Sequence, residues 1–167
     1  SGKQIQVVAV VGNGMLSLVT ADPALRSVKD LAGQSVEVAG QGATPDLVFR
    51  RILKKYQLEA GKDVKTGYSL AYPEIAQSLI AGRVSHALLP EPFATMALSG
   101  KTGLRVLGDI QAEWAAAVGG SASYPMTVFV VDAGFALANP GAVEAVVDAY
   151  AASIAWVVAN PEAARAL

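Results

Sequence analysis

The chain has 167 residues, a formal net charge of −1 and 16% charged residues, enough for one sizeable domain or one lobe of a two-lobed protein. With no basic excess there is no electrostatic field to hold a nucleic-acid backbone, so nucleic acid is excluded as an expected partner. The absence of cysteine excludes disulfides and thiolate catalysis, and a single histidine argues against a zinc site.

In chain order, "QIQVVAVV" (4–11) reads as a buried strand that stops at Gly12-Asn13-Gly14, and "LSLVT" (16–20) resumes extended character. The apolar run at the start is shorter than a signal-peptide core of roughly 7–15 residues. The chain is therefore expected to begin inside a longer protein. "RSVKDLAGQ" offers Ser27 as the cap of a single turn ending at Gly33.

From Ser35 the units alternate: strand "SVEVAG", helix 44–57, strand "DVKTGYSL" with its following loop, helix 72–83, strand "HALLP", helix "EPFATMALSG" ended by Gly100, and strand "GLRVLGD". Strands alternating with helices imply a parallel sheet built from right-handed crossovers, one complete α/β lobe over about 35–108. Residues 111–125 read as irregular after a helical turn, and 126–133 as a strongly apolar strand. A long helix and the start of another follow, with Asn139 and Asn160 as caps before prolines. In "GAVEAVVDAYAASIAWVVAN", Glu144 and Asp148 share one stripe and Val143, Val147, Tyr150, Ile154 and Val157 another, so an amphipathic packing helix is expected rather than a membrane span.

Ligands of open parallel sheets gather outside the carboxyl ends of the strands, here the loops 39–45, 67–73 and 89–92. In the first, Gly42 and Ala43 bring bare backbone to a helix start with Thr44 as cap and Pro45 behind it. Such a start favours an anionic group, although Asp46 already places a negative charge there, and a self-sufficient capped helix explains the same residues. In the second, Tyr68 and Tyr72 can flank an organic ligand or simply pack. Tyr124, beside Pro125, is a similar case. In the third, Glu91 either stabilises the helix that begins at Pro92 or accepts hydrogen bonds from a ligand amine or amide. His86, inside a strand, reads as a satisfied buried histidine; Met96 and Phe93 read as packing, and "RRILKK" (50–55) as a solvated helix face. The lone Gly12-Asn13-Gly14 lacks the rest of a dinucleotide fingerprint. No nucleophile with a partner base, shared carboxylate pair or metal spacing can be assembled, so catalytic residues, metal and cofactor are all expected to be none.

The run "SVKDLAGQSVEVAGQGATPDLVFRRIL", followed by "EIAQSLIAGRVSHALLPEPFATMAL", resembles the solute-binding proteins of ABC importers, in particular their nitrate, sulfonate, taurine and thiamine-pyrimidine branch. Leu31, Gly33, Gly42, Leu79, Gly82, Val84, Glu91 and Pro92 stand where that family's pattern places such residues, and "FALANPGAVEAVVDAY" resembles its stretch after the return to the first lobe.

The resemblance implies a periplasmic-binding-protein-like (type II) α/β fold, with a complete second lobe and the C-terminal part of the first. On that scheme residues 1–20 and 126–167 belong to the first lobe, 21–110 to the second, and 111–125 cross back. It implies a non-enzymatic receptor that binds a small organic or anionic solute reversibly between lobes and presents it to an ABC transporter permease. The implied location is periplasmic or otherwise extracytoplasmic, with a lipid anchor or export signal in an upstream segment and no membrane insertion of this segment itself. Implied cleft-facing positions are Asn13, Thr44, Tyr68, Glu91 and Tyr124. Two departures stand out: Ser85 replaces the family's usual aspartate, and His86 a small residue. With Asp46 in the first loop, the expected ligand carries hydrogen-bond donors. Competing expectations are an enzyme on the same fold in thiamine-pyrimidine biosynthesis and the ligand-sensing domain of a transcription regulator.

Overall fold

The computed structural model describes residues 4–120 and 123–167. Residues 1–3 and 121–122, at the edges of the segments expected to open the first lobe and to cross back to it, lie outside the described set. The elements are β1 (Ile5–Asn13), β2 (Leu16–Thr20), a 3-10 turn (Val28–Leu31), β3 (Ser35–Val38), α1 (Thr44–Lys55), β4 (Lys65–Gly67), α2 (Tyr72–Ile80), β5 (His86–Pro90), α3 (Phe93–Gly100), β6 (Arg105–Gly108), α4 (Ile110–Val118), β7 (Pro125–Asp132), α5 (Ala133–Ala138), α6 (Pro140–Ala159) and α7 (Pro161–Arg165). The chain divides into a larger unit, Asn13–Met126, and a smaller one, Ser1–Gly12 with Thr127–Leu167.

The larger unit is built on a five-stranded sheet of order β4-β3-β5-β2-β6. β3 runs parallel to both β4 and β5, with Glu37 opposite Gly67 on one side and Ala87 on the other. The expectation of an all-parallel sheet needs one correction. "LSLVT", assigned in sequence to the first lobe, enters this sheet as β2 and runs antiparallel to β5 and to β6. Its register sets Leu18 against Leu88 and Val19 against Ala87, so it satisfies both sheet faces at once. Hydrophobicity tells a strand to be buried without saying which sheet it joins or in which direction.

Both faces are covered. Leu16, Leu18, Val36, Val38 and Leu88 pack with Val48, Phe49, Ile52 and Leu53 of α1 and Ile110 of α4. Val19, Ala87 and Leu89 pack on the other face with Ile75, Ala76 and Leu79 of α2 and Ala94 and Ala97 of α3. A strand covered on two faces must be apolar throughout, which is why all five residues of "HALLP" are buried and only Ser17 of "LSLVT" is partly open.

The segment expected to be irregular from 111 is a second correction. Asp109, read as the end of a strand, caps α4 by accepting from the Gln111 and Ala112 N–H groups at 2.9 and 3.2 Å. Glu113 accepts the Tyr56 hydroxyl at 2.8 Å and pairs with Lys55 at 3.0 Å, so α4 docks onto α1 within the larger unit.

In the smaller unit β1 and β7 form a two-stranded sheet. Asp132 caps the short α5 through the Phe135 N–H, 3.0 Å, an element absent from the sequence reading. α6 is the one helix among the described residues long and apolar enough to cross a membrane by length and composition. Glu144 and Asp148 line one groove on it with Val143 and Val147; Val143, Val146 and Val147 also line an apolar cavity with Val8 and Phe129, and Tyr150 meets Phe129 edge-on at 5.0 Å. The amphipathic reading is not realised among the described residues: α6 buries no residue, Glu144 and Asp148 share a groove with Val143 and Val147, and Tyr150, Ile154 and Val157 of the expected packing stripe are exposed.

Leu88 has no exposure and sits at the centre of the sheet, flanked by β2 and β3. Leu88→Ala is expected to cost about 2–5 kcal/mol, read from urea denaturation followed by Trp114 fluorescence. A loss under about 1 kcal/mol would show that the sheet is not close-packed there.

Candidate functional site

β3, β4 and β5 are parallel, so the chain leaves all three at one edge of the sheet, and the loops 39–43, 68–71 and 91–92 share a rim. β2 runs the other way and therefore begins at that rim. Its approach carries Met15 beside Glu91, whose N–H donates to the Met15 carbonyl at 3.1 Å, and Gly14, whose N–H donates to the Tyr124 carbonyl at 3.0 Å. The Gln111 side-chain amide also donates to the Gly14 carbonyl. Asn13, exposed at the start of this approach, stands on the same rim.

The first loop differs in detail from the sequence reading. The residue before the helix is Ala43, not Thr44; Thr44 and Pro45 occupy the first two helical positions, and Ala43 has no side chain with which to cap. Asp46 supplies the missing acceptor from inside the helix. Gly42 takes a φ of +77°, a conformation glycine adopts at little cost, and this turns its N–H toward Asp46 Oδ2 at 2.8 Å.

The other Asp46 oxygen, Oδ1, accepts from Arg50 Nε and from the Tyr68 hydroxyl, each at 2.8 Å. Arg50 Nη2 in turn donates to the Tyr68 oxygen at 2.8 Å. Arg50, read in sequence as part of a solvated face, is therefore the cation that holds the loop, and its side chain is 40% exposed against 2% for Asp46. Burial pushes the Asp46 carboxyl up, but the Gly42 N–H, the Tyr68 hydroxyl and the Arg50 guanidinium together outweigh it and hold the group below its usual value. The Asp46–Arg50 spacing of four is a helical pair visible in the sequence; the Tyr68 corner of the triangle, coming from another strand, is not.

Glu91 is exposed. Its Oε2 accepts the Thr95 N–H at 3.1 Å, so the capping role is realised, and Oε1 has no protein hydrogen bond among the described residues. Beside it Phe93 stacks on Tyr72 with ring centroids 5.7 Å apart and planes 22° from parallel. Tyr72 reads from the sequence as able to flank a ligand with Tyr68 or simply to pack, and Phe93 as packing; in the structure the two stack on each other at the starts of α2 and α3 and both pack against the core on that side of the sheet. Burial raises the Tyr72 hydroxyl above its usual range.

Tyr124 belongs to the core rather than the rim. It is 2% exposed and meets Trp114 edge-on at 5.5 Å. Burial, offset in part by the nearby Leu16 N–H, pushes its hydroxyl up to about 12, and the oxygen makes no well-formed hydrogen bond. Its backbone carbonyl, not its ring, reaches the rim segment. The rim thus brings together Gly42, Ala43, Thr44, Tyr68 and Glu91 with Asn13 nearby.

His86 lies at the opposite, amino end of β5, 3% exposed, with Nδ1 2.9 Å from the Thr20 hydroxyl. Burial lowers its basicity, and Asp22 opposes this in part. The imidazole is far from the rim loops along its strand and is satisfied by a cross-strand neighbour, as the sequence reading expects.

A sheet with helices on both faces, and the loops of its parallel strands collected at one edge, fits a periplasmic-binding-protein-like α/β fold. The chain belongs to the NMT1-like family, whose sequence profile matches residues 2–167. Among solved structures it is similar to an ABC transporter protein from Parabacteroides distasonis, with 27% identity and a TM-score of 0.72 over 96% of this chain and 51% of that one. It is similar in fold to the periplasmic aliphatic sulphonate binding protein of Escherichia coli, with 20% identity and a TM-score of 0.77 over 96% and 52%. The desulfurization enzyme DSZB shares the fold at 17% identity and a TM-score of 0.63 over 96% and 58%. No curated protein sequence matches the chain. The chain spans about half the length of the first two of these structures.

Two pH effects follow from the buried groups. Because Asp46 is held below its unfolded value near 3.8, its contribution is present above that pH and lost as the pH falls through the folded value. Asp46→Asn is expected to lower stability by about 1–3 kcal/mol at neutral pH and to remove part of the acid sensitivity below pH 4, measured by urea midpoints across pH. His86 is held below 6.5, so protonation favours the unfolded chain and stability declines as the pH drops beneath 6.5. His86→Gln is expected to flatten that decline between pH 7 and 5; an unchanged slope would assign it to other groups.

Proposed function

We propose that the rim of loops 39–44, 68–72 and 91–93 is the surface on which the larger unit holds a small organic solute, and that the whole protein is the solute-binding component of an ABC-type importer. The reading is supported by the family, by the similar structures, and by three loops emerging from parallel strands at one edge. In this reading the protein binds reversibly in an extracytoplasmic compartment and delivers its solute to a membrane permease.

The charge arrangement carries the choice of solute class. The Gly42 N–H that could meet a ligand anion is taken by Asp46, and Arg50 neutralises that carboxylate at a distance of 2.8 Å, so no uncompensated cation is left in the loop for a bare oxyanion. What stays open is an acceptor, Glu91 Oε1, next to a flat aromatic surface, Tyr72 with Phe93. An acceptor beside aromatic rings suits a planar or partly apolar solute that presents N–H groups. Gly42, Ala43 and Thr44 contribute backbone shape, Tyr68 a hydroxyl already fixed by Asp46 and Arg50, and Asn13 an amide at the margin.

The test is a thermal-shift screen of amines, amides, pyrimidines and small anions, followed by calorimetry on the best solute. Glu91→Gln is expected to weaken that solute about tenfold or more, since a charged acceptor is lost, and Tyr68→Phe by a smaller factor. The solute should be recovered chemically unchanged by mass spectrometry after long incubation. Steady conversion to product would replace the receptor with an enzyme on the fold that DSZB also uses, and tight binding of nitrate or a simple sulfonate undiminished by Glu91→Gln would overturn the assignment of solute class.

A further inference from the structure

The rim carries an apolar side chain that neither core absorbs. In the register of β2 on β5, Leu16 stands opposite Pro90. One step further the Glu91 N–H donates to the Met15 carbonyl at 3.1 Å, so the antiparallel pairing continues and sets Met15 opposite Glu91. Side chains directly opposite in such a pair project to the same face, with Cβ atoms about 5 Å apart. Leu16 and Leu18 pack on the α1 face and Val19 on the face of α2 and α3, and alternation along the strand gives Met15 to the latter. That is the face on which Tyr72 and Phe93 stack. Met15 is 36% exposed and belongs to neither core cluster.

The same edge is acidic at every helix start. β6 runs antiparallel to β2, as β5 does, so it too ends at the rim, and α1, α2, α3 and α4 all begin there. Asp46 takes the Gly42 N–H at 2.8 Å, Glu74 the Ala71 N–H at 2.8 Å, Glu91 the Thr95 N–H at 3.1 Å and Asp109 the Gln111 N–H at 2.9 Å. Arg50 neutralises Asp46, whereas Glu74, Glu91 and Asp109 form no ion pair among the described residues. Protein carboxylates thus already stand where helix starts attract anions. A dissolved anion approaching this edge meets like charge, and a cation meets a favourable field.

We propose that the rim selects organic cations: a protonated amine carried on a small aromatic or branched apolar body, with the ammonium group on Glu91 and the body against Met15 and the Tyr72–Phe93 pair. This rests on the reading of the rim as the solute surface, and it narrows the solute from any N–H donor to a positively charged one. An ammonium donating to Glu91 Oε1 makes a charge-assisted hydrogen bond, stronger than one from a neutral donor, and aromatic rings beside it favour a cation over an anion. Met15 is the specificity-determining residue for the apolar body, since its flexible thioether adapts to apolar groups and offers little to polar ones.

The test is an amide NMR titration of the full chain with benzylammonium, and with benzyl alcohol and benzoate as its neutral and anionic counterparts. Benzylammonium is expected to give saturable shifts at residues 15, 72, 91 and 93, with an affinity about tenfold or more above either counterpart, and to weaken as salt is raised. Met15→Leu should keep that preference. Met15→Lys, at an exposed position, sets a tethered ammonium opposite Glu91 and should abolish binding while the rest of the spectrum stays that of the folded chain. Glu91→Gln, the second variant, should reduce benzylammonium to the level of benzyl alcohol. The proposal is overturned if benzylammonium gives no saturable shift at these residues, or if the Met15→Lys or Glu91→Gln variant binds it as well as the native chain does. Benzyl alcohol or benzoate bound there as tightly overturns the cationic class and leaves the rim as the solute surface; saturable shifts found only away from the rim loops overturn both.

Discussion

The antiparallel insertion of β2 between β5 and β6 is the constraint on which the larger unit rests. β5 is buried on both faces and along its whole length, so its two edges must be paired. β3 takes one and β2 the other. Because β2 runs against β5, the segment that opens the larger unit, Asn13 to Met15, arrives at the edge where the parallel strands end. The same pairing that completes the core therefore delivers Met15 to Glu91 and places the chain's approach on the rim where the loops of the parallel strands emerge.

The chemistry of that rim depends on a second, polar constraint. A helix start without a capping side chain leaves N–H groups in search of acceptors, and α1 begins after an alanine. Asp46 answers from within the first turn, which requires Gly42 to adopt a left-handed conformation and requires a buried carboxylate to be balanced. Arg50 provides the charge and Tyr68 the remaining hydrogen bond. Two residues of α1 and one from the loop after β4 are thereby tied together, and through Gly42 they hold the loop before α1.

Two residues show where sequence reading reaches and where it stops. Glu91 was visible both as a helix stabiliser and as an acceptor, because its position between two prolines fixes it at a helix start; the structure lets one oxygen do the first task and leaves the other open. Tyr124 was visible as an aromatic near a strand mouth, yet its ring turns into the core against Trp114, since nothing in local sequence tells which way an aromatic in a connecting segment points. Arg50 shows the complementary limit: a charge among apolar residues on a helix usually faces water, as Arg50 in part does at 40% exposure, and only the fold brings Tyr68 within reach of it. The triangle Asp46, Arg50 and Tyr68 closes over a sequence separation of 22 residues, beyond any local pattern.

By itself the sequence determined the alternation of strands and helices, the apolar stretches that lie inside the larger unit, the three loops at the strand ends, and the family, because each of these is written in spacing a few residues long or in short runs of residue types; the apolar run 4–11, read as a buried strand, is mostly exposed in β1. Tertiary structure alone decided the sheet that β2 joins and its direction, the attachment of α4 to the larger unit, and the closing of Asp46 onto Arg50 and Tyr68. These depend on which surfaces meet across tens of residues, and the energy of such meetings lies in burial and in paired charges rather than in any local preference of the chain.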